Sequence, residues 1–258
     1  MKIEFQCPIC QRLKRFSKNP NIDIGYTYQD LTDNSIIDLH CYNGHDSVTI
    51  IENLKFDLLF ESGISAFKDG YKRESVTSVA ASLERFYEFS IRIILENASI
   101  DDHVLANSWK NVSSQSERQL GAFIFLFALK FETTPPLLNN KMIQFRNSVI
   151  HKGYFPSKEE SLLFLKNASE IIQKIFRKLE KEMSDSVENL RTKILDNKMQ
   201  VGQNTINRWR IDYPHLSIRP GINDLPKLTT LETFLSNLFQ TTELLDIDKY
   251  LTQVENYS

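Results

Sequence analysis

All three cysteines of this chain fall within its first 41 residues. Their spacing limits what that segment can fold into. Cys7-Pro8-Ile9-Cys10 is a knuckle, a tight turn that aims two sulfurs at one point. Thirty residues on, His40-Cys41-Tyr42-Asn43-Gly44-His45 gives a C-x3-H second half, with Gly44 allowing the backbone to bend. Three thiolates and one imidazole suit a closed tetrahedral zinc site, structural rather than catalytic. The expected ligands are Cys7, Cys10, Cys41 and His45. His40 is the rival fourth ligand, but adjacent side chains of an extended strand point to opposite faces, which favours His45. An odd cysteine count also fits metal better than disulfides.

Residues 1–52 read as a small β-rich, zinc-ribbon-like module. Its alternating segments are Ile22-Asp23-Ile24, Tyr26-Thr27-Tyr28, Ser35 to Leu39 and Ser47 to Ile51. A unit of this size buries too little apolar surface to fold without a staple, which the metal would supply. From about Glu52 the period turns helical. The pattern predicts helices over Asn53 to Phe67, ending near Asp69-Gly70, and over Glu74 to Asn97. A third opens at a capping box, Ser114-x-x-Glu117, and runs through Leu120 to Leu129 before Pro135-Pro136. It is apolar nearly all round and reads as the central buried helix. A fourth covers Asn140 to His151, with Gly153 as its stop. A fifth starts at a second capping box, Ser157-x-x-Glu160. Residues 53–183 thus read as a helical bundle.

Residues 184–258 read as a partly helical extension. They hold a helical stretch near Val187 to Asn197, a Pro- and Gly-rich segment over 201–228, and a last helical pair from Thr229. Asn207-Arg208-Trp209-Arg210 reads as an exposed basic turn, and Trp109 and Trp209 as packing residues. The fold class is mainly α.

A net charge of -2 excludes a protein that coats nucleic acid by charge alone. The longest apolar run, Leu120 to Leu129, is too short to span a bilayer. With no leader-like N-terminus, a soluble cytoplasmic protein is expected.

Chemistry is best carried by the fourth helix. From Thr133 to Lys158 there is no acidic residue, while Lys141, Arg146, Lys152 and Lys158 are basic. Arg146 falls within the apolar arc of Met142, Ile143, Val149 and Ile150, so its guanidinium must find a partner. One reading is a salt bridge to an acid of the second helix, such as Glu84 or Glu88. The other is a substrate-facing cation. His151 lies at the helix C-terminus, where the dipole favours an imidazole cycling its proton near neutral pH. Asn147, four residues earlier, shares its face and can hydrogen-bond to it. On an ideal helix Arg146 and His151 point about 140° apart. They meet on one substrate only if the helix end distorts or two chains share the site.

The set Arg146-Asn147-x-x-x-His151, followed by Gly153 and Pro156, resembles the R-x4-6-H motif of the HEPN superfamily. Tyr71 to Ser75 leading into Leu83 to Phe89 is similar to the early helices of bacterial HEPN proteins, and the resemblance spans about residues 53–183. It implies a homodimer that brings two motifs into one cleft, and a metal-independent endoribonuclease. His151 would handle the proton of the ribose 2′-hydroxyl or of the leaving oxygen, Arg146 the phosphorane-like charge, and Asn147 the orientation of substrate or His151. Such proteins often act as toxins or anti-phage effectors, commonly on tRNA, and a regulatory protein partner fits that role. Other members have lost activity, so a non-catalytic binding or regulatory module is the alternative. The scattered His103, His151 and His215 give no metal-hydrolase pattern.

Overall fold

A computed structural model describes residues 2–17, 21, 23–200 and 208–211. The chain is mainly helical, with seven helices among the described residues and a small β region at the N-terminus.

Strand β1 (Lys2–Gln6) pairs antiparallel with β2 (Tyr26–Asp30), and helix α1 (Pro8–Phe16) lies between them in sequence. Strands β3 (Ile36–His40) and β4 (Asp46–Ile51) form an antiparallel hairpin. The strands alternate as a one-sided sheet should: Ile37 and Leu39 point inward, while Asp38 and His40 point out. The module core is small: Ile3, Phe5, Ile37, Leu39 and Ile51, joined by Leu58 of the first bundle helix.

That helix, α2 (Lys55–Lys68), begins where the Asp57 carboxylate accepts the Leu54 amide proton at 3.2 Å. It ends as expected at Gly70, whose φ of +84° suits the left-handed stop. Leu58 faces the β module, while Leu54, Phe56 and Phe60 enter the bundle core, so α2 joins the two cores. Helix α3 (Lys72–Asn97) is the central element: α2, α5, α6 and α7 all pack against it. Two of its buried hydroxyls are satisfied by carbonyls, Ser82 donating across to Phe56 of α2 at 2.7 Å and Ser90 back to Phe86 at 2.9 Å.

Gly63 sets the α2–α3 approach. A Cβ there would stand 2.5 Å from Val79 Cγ2 and 3.0 Å from the Ser75 carbonyl oxygen. Gly63→Ala gains about 1 kcal/mol of helix propensity. It loses about 3 kcal/mol to overpacking, because part of the clash is with backbone. A net loss of about 2 kcal/mol, read from urea unfolding, is the expected result.

Glu61, on the same helix, is pushed by burial from 4.5 up to about 7, against the opposing charge of Lys68. Its native pKa lies above its unfolded one, so it costs nothing below pH 4.5; the cost grows between 4.5 and about 7 and is fully present above that. Glu61→Gln should therefore stabilise the protein at pH 8 by on the order of 2 kcal/mol and leave it unchanged at pH 4, in paired urea titrations.

Helix α5 (Ser116–Phe131) departs from expectation in two ways. The Ser114 capping box does not form. The residue before the helix is Gln115, because 111–115 are wound into turns leaving α4 (Asp102–Lys110) and the Ser113 carbonyl accepts from Gln119 Nε2 at 2.8 Å. Nor is α5 central. It buries only Gln119, Phe123 and Phe127, and leaves Phe125 79% and Leu129 80% exposed. Its apolar circumference exceeds what the bundle covers.

The two later boundaries hold. Helix α6 spans Asn140–His151, capped by Asn139, whose side chain accepts from the Met142 amide at 2.9 Å. Helix α7 (Lys158–Gln200) opens with the reciprocal Ser157–Glu160 box at 3.1 and 2.8 Å. A kink at Met183 (φ -145°, ψ 39°) interrupts α7, and Val187 and Leu190 beyond it still join the bundle core. Near its end, Lys198 Nζ donates to the Ile51 carbonyl at 2.9 Å, which ties α7 to the β module.

The expected basic turn at 207–210 is in fact, from Arg208, a strand: β5 (Arg208–Ile211) runs parallel to β4. Ile22, the side chain of Trp209, His215, the expected Pro- and Gly-rich segment over 201–228 (apart from 208–211) and the expected helical pair from Thr229 lie outside the described residues.

Candidate functional sites

The N-terminal cluster is built by two tight turns. Cys7 caps α1 with Pro8 in the first turn, and its sulfur accepts the Cys10 amide at 3.5 Å, so both sulfurs lie at one end of the helix. The β3–β4 turn carries the other pair. Gly44 takes φ +77°, its amide donates to the Cys41 carbonyl at 2.8 Å, and the Cys41 amide donates to the His45 carbonyl at 3.1 Å. Gly25 lets the backbone pass close: a Cβ there would meet Cys41 Cβ and Sγ at 3.0 Å.

The donor atoms of Cys7, Cys10, Cys41 and His45 all lie within 4.8 Å of one another. His45 Nδ1 is 3.8, 3.3 and 3.5 Å from the sulfurs of Cys7, Cys10 and Cys41, and Cys10 Sγ is 3.9 Å from Cys41 Sγ. A tetrahedral ion with bonds of about 2.3 Å to sulfur and 2.0 Å to nitrogen requires edges of about 3.8 Å (S–S) and 3.5 Å (S–N). The four groups can therefore hold one metal ion. His40 is not among them; its Nδ1 pairs with Asp46 Oδ1 at 2.6 Å on the exposed side.

Around the cluster, burial foremost pushes the Cys7 thiol up to about 11. Burial also opposes ionisation of Cys10. The Asn43 amide (3.3 Å to its sulfur), the Gly25 backbone and His45 outweigh it and bring that thiol to about 7. Asn43 Nδ2 also donates to the Asp23 carbonyl, so it braces the site from outside the ligand set.

The second candidate site lies on α6. Arg146 Nη2 is paired with Glu84 of α3, and Nη1 donates to Asn147 Oδ1 at 3.1 Å. Of the two acids considered, Glu84 is the partner; Glu88 is held by Arg85 and Arg92. Glu84 thus offsets the positive charge of the acid-free stretch at its centre. Asn147 is engaged by Arg146, not by His151 as the sequence led us to expect. The amide oxygen is the acceptor a neighbouring guanidinium needs once Glu84 has taken its other arm. His151 is exposed at the last position of α6. The helix runs regularly to it before Gly153 takes φ +70°, so no distortion turns Arg146 and His151 together within one chain.

One residue that sequence reasoning missed is Arg73. Its Nε donates to the Val149 carbonyl at 3.4 Å and so caps the last turn of α6 from the start of α3. No local pattern signals it, because 76 positions separate the two. Trp109 packs beside the bundle core beneath Arg92, whose guanidinium carbon lies 5.3 Å from the ring centroid.

No protein-family model, curated protein or solved structure matches this chain. No helix among the described residues is long and apolar enough to cross a membrane.

Proposed function

We propose that this protein is a metal-independent endoribonuclease of the HEPN type, acting as a homodimer in the cytoplasm on RNA, with tRNA the first substrate class to test. A toxin or anti-phage effector is the role this activity fits. The observation that carries the reading is His151. It ends α6 exposed, five residues after Arg146 and just before the exposed Tyr154 and Phe155. A second copy docked there would bring a second histidine to the same cleft. Phe125 and Leu129 of α5 are also left uncovered.

In the paired site one His151 takes the proton from the ribose 2′-hydroxyl as its oxygen attacks phosphorus. The partner's His151 returns a proton to the departing 5′-oxygen. The products are a 2′,3′-cyclic phosphate and a 5′-hydroxyl. Arg146, fixed by Glu84 and Asn147, retains unshared guanidinium donors for the phosphorane oxygens. Cys7, Cys10, Cys41 and His45 would hold zinc, and its role would be structural, because these four residues supply a full tetrahedral set.

A second reading is favoured by the Arg146–Glu84 ion pair: a non-catalytic binding module in which Arg146 holds α6 to α3. Labelled tRNA incubated with protein in excess EDTA separates the two. The nuclease yields fragments ending in cyclic phosphate. The binding module leaves RNA intact, and Arg146→Ala then lowers only stability.

A further inference from the structure

The outer face of the β1–β2 hairpin carries a second site of a different kind. The register pairs Glu4 with Tyr28 and Gln6 with Tyr26, all exposed, while Ile3 and Phe5 turn inward. Tyr42 joins this face from the β3–β4 turn, between ligands Cys41 and His45. The three rings are 51%, 58% and 57% exposed for Tyr26, Tyr28 and Tyr42. Tyr26 stands perpendicular to both others, with centroids 6.2 Å from Tyr28 at 86° and 6.1 Å from Tyr42 at 89°.

Two carboxylates fix the outer two of these rings, Tyr28 and Tyr42. Tyr28 donates to Glu4 Oε2 at 2.6 Å, and Tyr42 donates to Asp23 Oδ2 at 2.6 Å and to the Ile24 carbonyl at 3.1 Å. A phenol donating to a carboxylate gains electron density on its ring face, which strengthens attraction for a cation. A cation seated in the right angle that Tyr26 makes with Tyr28, or with Tyr42, comes within the ~6 Å reach of both ring centroids and beside the carboxylate that fixes the second ring.

The charge of the module selects the occupant. Residues 1–52 hold five Lys and Arg against seven Asp and Glu. A divalent ion bound by three thiolates adds one more negative charge. A polyphosphate is repelled by such a surface and a basic side chain is drawn to it. We propose that Tyr26, Tyr28 and Tyr42, with Glu4 and Asp23, form a docking site for a lysine or arginine side chain of a partner protein.

The test uses the full, metal-loaded chain and a fluorescent eight-residue peptide of alternating glycine and arginine. Its control is the same peptide with citrulline, the uncharged isostere. The arginine peptide should bind at least about tenfold more tightly, and Tyr26→Ala should weaken it about fivefold or more. Tyr28→Phe keeps the ring and loses the Glu4 bond, so it should weaken binding without disturbing the fold. Metal content and melting temperature confirm that each variant is intact. Equal affinity for the two peptides, or arginine-peptide binding unchanged in both variants, overturns the assignment. So does poly(U) binding that is lost in Tyr26→Ala while the arginine peptide fails to bind, an outcome that gives the face to nucleic acid. None of these readouts depends on RNA cleavage.

Discussion

Cys10→Ser should leave the protein unable to hold its metal, with content falling from about one ion per chain to near zero. Cys10 is central to the cluster. Its sulfur is nearest His45 Nδ1, lies against Cys41 Sγ and accepts from Asn43. The consequence should be local unfolding. The β module owns five core side chains and borrows Leu58 from α2. A structural zinc site supplies on the order of 10 kcal/mol to a domain of this kind, more than so small a core provides. Limited proteolysis should therefore cut the variant between the cysteine motif and Glu52, while α3 and α7 remain protected. The bundle has its own core of Phe86, Phe89, Phe123, Phe164 and Phe176 and should keep its helical circular dichroism. Wild type stripped of its metal by chelator in mildly denaturing urea, then returned to buffer, should reproduce the pattern. Full metal content in Cys10→Ser, or an intact module without metal, would contradict the assignment.

The second large effect concerns His151→Ala. Removing a general acid–base group costs 10²–10⁴-fold in rate, and in the paired site one substitution removes both the acid and the base. A loss of at least about 100-fold in RNA cleavage is expected, with an unchanged melting temperature because the side chain is exposed and α6 ends there. Arg146→Ala should behave differently. It leaves Glu84, on the central helix, without its partner, so stability falls together with activity. Glu84→Gln distinguishes the roles. It keeps a hydrogen-bond acceptor for Arg146 and should retain most cleavage if Arg146 acts on substrate.

How much of this was legible in sequence varies with the range of the interactions involved. The bounds of α6 and the start of α7 are set by local chemistry, the Asn139 cap, Gly153 and the Ser157–Glu160 box, and they were read directly. The metal cluster was legible for the same reason: two short spacings and one strand alternation place four ligands and exclude His40.

Longer-range features were not legible. Strand β5 forms only by pairing with β4, some 160 residues earlier, and its basic, aromatic tetrapeptide gives no periodic signal. Helix α4 buries no side chain, so it has no apolar stripe to detect. The choice of Glu84 over Glu88 depends on where α6 crosses α3 and on Arg85 and Arg92 already claiming Glu88. The misreading of α5 is the most instructive. An apolar circumference predicts a central position, yet Phe125 and Leu129 face outward while α3 occupies the centre. Apolar surface states that something covers a helix and leaves open whether the cover lies within the same chain.

The most direct test of the central claim is an RNA-cleavage assay in excess EDTA, wild type against His151→Ala, with tRNA and total RNA as substrates. Both proteins are checked first for retained metal and for dimerisation. The account predicts chelator-resistant cleavage by the wild type, with 2′,3′-cyclic phosphate ends, and its loss in the variant. Equal cleavage by both, or none by a folded, metal-loaded wild-type dimer, would contradict it.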